Sequence, residues 1–131
     1  MEFEYRLSVR GYELDSFGHV NNAVYLSYIE QAQWEILRKT ETLPYFLEKR
    51  IVPAIIEINI RYIREAKIFD ELVVKTKMAL EPPYMVWKHN IYNTKTMRKS
   101  CKATVKQLNL TEDRIACDLP EFILKNWKVT Q

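Results

Sequence analysis

The segment Ala23–Lys39, AVYLSYIEQAQWEILRK, decides the fold. Its apolar residues recur at helical spacing: Tyr25, Ile29, Ala32 and Ile36 form one stripe, and Val24, Tyr28 and Leu37 widen it. Polar groups are thin until Glu30, Gln31, Gln33 and Glu35, so the first two turns are expected to lie enclosed by protein. Asn21 or Asn22 is placed to cap the helix, because a short amide side chain accepts from the exposed N–H groups of a first turn. Lys39 and the stretch Thr40–Pro44 mark its end.

On either side of this segment the period changes to that of strands. Upstream, Phe3, Tyr5, Leu7 and Val9 alternate with Glu4, Arg6, Ser8 and Arg10, and Gly11 ends the pattern. Downstream, the run Val52–Ile63 sets Ala54, Ile56, Ile58, Ile60 and Tyr62 on one face, against Glu57, Asn59 and Arg61. Leu72–Leu80 sets Leu72, Val74, Met78 and Leu80 against Lys75 and Lys77. Glu81-Pro82-Pro83 breaks the pattern before Tyr84–Asn93, whose faces are both mixed. Ser100–Leu110 groups Cys101, Ala103 and Val105, and its apolar phase then moves to Leu108 and Leu110, which predicts a bulge near Lys106. Pro120 opens a short helical tail, Glu121–Trp127. One strand, one long apolar helix and four further strands predict an α+β domain, with an antiparallel sheet of about five strands curled round a single helix. One helix leaves part of such a sheet bare and its edges open, so a dimer is expected.

The length of 131 residues fits a single domain, 1–131, and no Gly/Ser-rich linker or repeat divides it. The net charge of +3 comes from scattered Lys and Arg, most of them read as solvated surface; nothing in it argues for a nucleic-acid interface, and it suits a phosphate-bearing ligand. The acidic start MEFEYRLSVR is unlike a secretory leader, and no run is apolar enough to span a membrane. Cys101 and Cys117 form no disulfide framework and lack zinc spacing, and with only two histidines no metal site is expected. A reduced, cytoplasmic protein is the expectation.

The densest set of chemically capable groups lies between the first strand and the helix: Tyr12-Glu13-Leu14-Asp15-Ser16-Phe17-Gly18-His19-Val20-Asn21-Asn22. A helix start presents unpaired N–H groups and the positive end of a dipole, which stabilise a carbonyl oxygen as it gains charge. A carboxylate beside them activates water or attacks the carbonyl itself. Spacing alone favours Asp15 as a turn or cap residue, Asn21-Asn22 as caps and His19 as a loop hydrogen-bonder. His89 has no partner visible in the sequence, and Glu30 reads equally as a solvated helix position. The G-x-S-x-G elbow, the phosphate-binding loop and the dinucleotide fingerprint are all missing.

The stretch VRGYELDSFGHVNNAVYLSYIEQAQWEIL resembles the hot-dog thioesterases of the 4-hydroxybenzoyl-CoA thioesterase-like superfamily. It is most similar to the branch holding bacterial long-chain acyl-CoA thioesterase and the plant plastidial fatty-acyl thioesterases. The motif is an acidic loop, a His-Val-Asn-Asn tetrad and a Tyr on the first helical turn, here Asp15, His19 to Asn22, and Tyr25. The resemblance continues through IEINIRYIREAKIFDELVVKT and ends at RIACDLPEF. It implies a hot-dog fold and thioesterase activity on medium- to long-chain fatty acyl-CoA, with Asp15 as base or nucleophile. The amides near Asn22 and Ala23 are then the oxyanion donors, and His19, Asn21 and Tyr25 shape the site. No cofactor is implied, coenzyme A being part of the substrate. It further implies a homodimer, commonly paired into tetramers, with sites at the dimer interface. Arg61, Arg64, Arg98 and Lys99 are candidates for the phosphates of coenzyme A, although the basic stretch TKTMRKSC has no family counterpart. Three alternatives stand beside this reading: acyl carrier protein thioesters as substrate, a non-catalytic acyl-binding module, and a hot-dog dehydratase or hydratase. The Asp-loop-HVNN arrangement fits the last of these least.

Overall fold

The structure, a computed structural model, describes residues 2–127. Strand β1 (Glu2–Ser8) leads through a 3-10 turn at Gly11–Glu13 to helix α1 (Val24–Lys39) and helix α2 (Thr42–Lys49). Strands β2 (Val52–Tyr62), β3 (Glu71–Glu81), β4 (Tyr84–Asn93) and β5 (Lys99–Leu110) follow, and helix α3 (Glu121–Asn126) closes the order. All five strands form one antiparallel sheet in the order β1-β3-β4-β5-β2. The two strands that flank the helices in sequence, β1 and β2, are therefore the two edges. The sheet wraps α1, whose Tyr25, Tyr28, Ile29, Ala32, Ile36 and Leu37 are buried against Leu72, Val74, Met85, Trp87, Ile91 and Val105. This is the expected hot-dog architecture, an α+β fold with a curved sheet round a central helix.

Two local expectations need correction. The Thr40–Pro44 stretch does end α1, but a second helix starts within it. Glu41 turns the chain with a left-handed φ of 59°, and Pro44 falls in the first turn of α2, where a missing N–H costs nothing. Phe46 of α2 is buried, and Trp127 Nε1 donates to Thr42 Oγ1 at 3.2 Å.

The second correction concerns the bulge. It lies opposite Lys106, but on β2: Ile55 pairs with Gln107 and Glu57 with Lys106, so Ile56 is the extra residue. Beyond it the faces exchange, and Pro53 and Ile55, rather than Ala54 and Ile56, share the inner face with Ile58, Ile60 and Tyr62. Strand β5 keeps its phase, with Gln107 and Asn109 continuing the buried face of Cys101, Ala103 and Val105. These amides tolerate burial because each is bonded. Trp87 Nε1 donates to Gln107 Oε1 at 3.0 Å, and Gln107 Nε2 donates to Asn109 Oδ1 at 2.8 Å. A polar pair on the core face, not a bulge in β5, produced the apparent shift to Leu108 and Leu110.

His89 has the partners that its sequence context concealed. On β4 it faces Thr76 of β3, with Nδ1 and Oγ1 2.8 Å apart, and its Nε2 meets Gln33 Nε2 of α1 at 3.0 Å. The Gln33 amide donates, which leaves Nδ1–H to donate to Thr76. Burial at 1% exposure depresses the imidazole pKa to about 3, so the ring is neutral in the native state. Between that value and the usual value of about 6.5 the unfolded chain binds the extra proton. The contribution of neutral His89 to stability is therefore complete above the unfolded pKa and is lost as pH falls below it, at about 1.4 kcal/mol per pH unit. Urea unfolding of wild type and His89→Gln across this acidic range should differ by that slope, and parallel curves would place the imidazole in contact with water.

Candidate functional site

The loop between β1 and α1 is closed by its own backbone. Leu14 bridges Val20, Asp15 N–H donates to His19 O at 2.7 Å, and Gly18 N–H donates to Asp15 O at 3.1 Å. Gly18 takes a left-handed φ of 81°, which glycine adopts without strain. Within this turn Asp15 Oδ1 accepts the N–H of Phe17 at 2.9 Å and that of His19 at 3.2 Å. One oxygen is thus held by the loop, while Oδ2 takes no donor among the described residues.

The helix start lies next to this carboxylate. Asn21 closes the turn that leads into α1, whose N-cap position is Ala23: its Oδ1 accepts Ala23 N–H at 2.9 Å and its carbonyl accepts Val24 N–H at 2.9 Å. Of the two amides singled out in the sequence, that of Ala23 is therefore already committed. The Asn22 N–H has no acceptor among the described residues, and Asn22 lines the cleft that also holds Asp15. Tyr62, at the end of β2, donates its hydroxyl to Asn22 O at 2.7 Å and packs edge-on to Tyr25 at 5.5 Å. Burial raises the Tyr25 phenol to about 12, so it stays protonated.

Glu13 ties these two parts together. The residue is 5% exposed, and its Oε1 accepts the Tyr28 hydroxyl at 2.9 Å and Arg10 N–H at 2.8 Å. Arg10 Nη2 meets the other oxygen at 3.0 Å, and the Glu13 carbonyl accepts Asn21 N–H at 2.9 Å. Burial alone would raise this carboxyl, but bonds from the Arg10 backbone and side chain and from Tyr28 hold it below the usual range. It is therefore ionised, and it clamps the loop two residues before Asp15 to the second turn of α1.

The cleft has a volume of about 280 Å³, with Asp15, His19, Asn22, Tyr25, Tyr62 and Arg64 on its walls. His19 Nε2 reaches Glu65 Oε2 at 3.0 Å, another cleft residue. Arg64 is held by a bond from Nη1 to Lys99 O at 3.5 Å, which places Lys99 and the neighbouring turn residue Arg98 behind it, off the cleft wall. Arg61 pairs across the sheet with Lys102 and alternates with Tyr62, so it lies on the opposite face and outside the cleft. Sequence reading missed Tyr62, Glu65 and the Glu13–Tyr28 bond. Only the position of Tyr62 at the end of an apolar strand face offered a signal, since the others need the fold to bring them in. Among the described residues no cluster of His, Cys, Asp and Glu is placed to hold a metal ion.

A second, separate groove of about 590 Å³ lies between α1, α2 and β2. Leu26, Ile29, Leu37, Phe46, Ile58 and Val105 are on its walls. Asp15 and Asn22, whose N–H has no acceptor among the described residues, thus line one small cleft, and a separate apolar groove lies on the same helix. Such a set is equipped to attack a carbonyl attached to a long apolar chain.

Comparison with known proteins agrees with this geometry. The chain is 36% identical over 73 residues to a long-chain acyl-CoA thioesterase of Escherichia coli (strain K12), which covers 56% of this chain and 55% of that protein. It is 34% identical over 77 residues to a chloroplastic acyl-acyl carrier protein thioesterase of Arabidopsis thaliana, covering 58% and 40%. The matched stretch thus spans about half the length of these curated relatives or less. Among solved structures, YbaW, a probable thioesterase from Escherichia coli, superposes with a TM-score of 0.88 at 25% identity, covering 95% of this chain and 98% of that one. A 1,4-dihydroxy-2-naphthoyl-CoA thioesterase from Synechocystis shares the fold, with a TM-score of 0.87 at 15% identity over 96% and 95% of the two chains. The model of the thioesterase-like superfamily matches residues 9–127. That match takes in every element framing the cleft, and the chain belongs to the thioesterase-like superfamily.

Proposed function

We propose that the protein hydrolyses fatty acyl-CoA of medium to long chain to the free acid and coenzyme A. The observation that carries this reading is the meeting of the Asp15 carboxylate and the uncommitted Asn22 N–H in one cleft. The thioester carbonyl oxygen is taken by the Asn22 N–H at the positive end of α1, where charge developing on oxygen is stabilised. Asp15 either removes a proton from attacking water or attacks the carbonyl carbon to form a mixed anhydride that water then cleaves. In both routes the C–S bond breaks and the thiolate leaves with the electron pair. His19, fixed by Glu65, and Asn21, Tyr25 and Tyr62 hold the wall and the helix start in place.

The groove between α1 and β2 takes the acyl chain, and its apolar walls favour hydrocarbon over a polar acyl group. Arg64 is the residue on the cleft wall best placed for a phosphate of coenzyme A, with Arg98 and Lys99 behind it. An acyl carrier protein thioester enters the same cleft by the same chemistry. A non-catalytic acyl-binding module has no use for a carboxylate held beside a free oxyanion donor.

The working unit is a homodimer, alone or paired into a tetramer. The inner face of edge strand β2 leaves Ile55 and Ile58, along the groove that the acyl chain needs closed, at 45% and 46% exposure, and Tyr62, on the cleft, at 46%. A second copy closes it and protects the open edge.

Three measurements check this reading. Asp15→Asn keeps the shape of the carboxylate without its basicity, so kcat for a long-chain acyl-CoA should fall about 10²–10⁴-fold with the fold intact. A folded variant with near wild-type kcat removes Asp15 from the mechanism. Arg64→Ala should raise KM about tenfold with little change in kcat, since a phosphate contact is shared by ground and transition states. An unchanged KM assigns the phosphates elsewhere. On dilution, specific activity should fall as the sedimenting species shifts to monomer, and a fully active monomer would refute the dimer.

A further inference from the structure

The outer face of the sheet, away from α1, carries an arrangement that folding alone disfavours. Lys77 of β3 stands directly opposite Lys88 of β4, and Lys102 of β5 directly opposite Arg61 of β2. Like charges facing each other across strands are destabilising. Here two such pairs occupy adjacent rows, since Lys88 pairs with Thr104, and Asn90 with Lys102. Lys75 and Lys106 extend the same face. Carboxylates reach only its rim: Glu4 lies 3.7 Å from Lys75, Glu2 lies 3.9 Å from Lys77, and Glu57 faces Lys106. Lys88, Lys102 and Arg61 have no ion-pair partner among the described residues. Between them the face dips into a polar cleft of about 220 Å³, lined by Asn59, Lys88, Asn90, Lys102 and Thr104.

The size of the patch selects its occupant. From β3 to β2 it crosses three strand spacings, about 14 Å, and Lys102 to Lys106 adds a similar length along β5. A single phosphate or pyrophosphate covers a fraction of that, whereas an α-helix with its side chains is about 10–12 Å across. The patch also runs up to the site, because Arg61 is followed directly by Tyr62, Ile63 and Arg64 on the cleft wall. We propose that this outer face docks an acidic helix of the carrier protein that brings the acyl thioester to the cleft. An area this small makes a brief, electrostatically steered encounter rather than a stable complex, which suits delivery and release of substrate. The like-charge pairs are then tolerated because the partner's carboxylates separate them.

The kinetic arm of the test rests on the thioesterase reading, and the binding arm does not. In the double variant Lys88→Glu/Lys102→Glu, KM for an acyl carrier protein thioester should rise at least about tenfold, while KM for acyl-CoA of the same chain length stays within about twofold. Equal rises for both substrates would put coenzyme A phosphates on this face and overturn the proposal, as would no change for either. For binding, Asp15→Asn protein is titrated with holo acyl carrier protein at low ionic strength and followed by amide NMR. Shifts are expected at Lys77, Lys88, Lys102 and Thr104, abolished by added salt and by the double variant. No shifts, or shifts elsewhere on the surface, overturn the proposal even if acyl-CoA is hydrolysed. Salt-sensitive shifts on this face, in a protein that cleaves no thioester, support docking and sink the thioesterase reading instead.

Discussion

The geometry of the site depends on one buried carboxylate, that of Glu13. Ionised and almost out of contact with water, it is stable there only because the Arg10 backbone and guanidinium and the Tyr28 hydroxyl all donate to it. Those same bonds join the loop to the helix. The loop supplies Asp15 and the helix start supplies Asn22, and chemistry on a carbonyl needs both within reach of one carbon atom. A displacement of about 1 Å can cost about a hundredfold in rate. Leaving a buried neutral group short of a donor costs about 1–3 kcal/mol, and a charged one more, so the clamp resists the motions that would separate the two. Electrostatics inside the fold, rather than packing alone, holds the Asp15 loop against the helix start.

Strand β2 works under opposing demands. As an edge strand it borders the groove along α1, whose walls are apolar and accessible. An accessible apolar edge is also an aggregation hazard. The bulge at Ile56 bears on both demands. It exchanges the faces of the strand, so that Ile55 joins Ile58 and Tyr62 on the groove side, and it interrupts the regular edge ladder. The opposite surface of the sheet meets no such conflict and is free to carry charge. The two faces thus separate apolar from charged surface, and they meet at Tyr62–Arg64 beside the cleft.

The element order and most strand positions were legible in the sequence because side-chain period reports directly on burial. A stripe at helical spacing over Ala23–Lys39 and alternation over Phe3–Arg10 each admit one solution. The resemblance of Asp15 and His19 to Asn22 to a known motif likewise pointed to the loop and the helix start before any geometry was known. Local periodicity misled where burial and polarity part company. Gln107 and Asn109 are core residues because Trp87 and each other satisfy their amides, and the pattern of β5 read as a phase shift for that reason alone. Pro44 read as a stop, whereas the first turn of a helix accepts proline.

Pairing across the chain lay beyond the sequence. Asn21 and Asn22 both read as caps, and only the bond from Ala23 N–H to Asn21 Oδ1 separates the residue that closes the turn before α1 from the one whose N–H has no acceptor among the described residues. Arg61 and Arg64 read as equivalent phosphate ligands until the alternation of β2 turned Arg61 to the outer face and the backbone beyond Tyr62 brought Arg64 to the cleft. Glu13 and Tyr28, and His89 with Thr76 and Gln33, are separated in sequence and touch only through the folding of the sheet round α1. Local pattern is written by which residues avoid water, and that much the chain carried in its order of letters. Which polar group meets which is decided by distances that exist only after the sheet has closed on the helix.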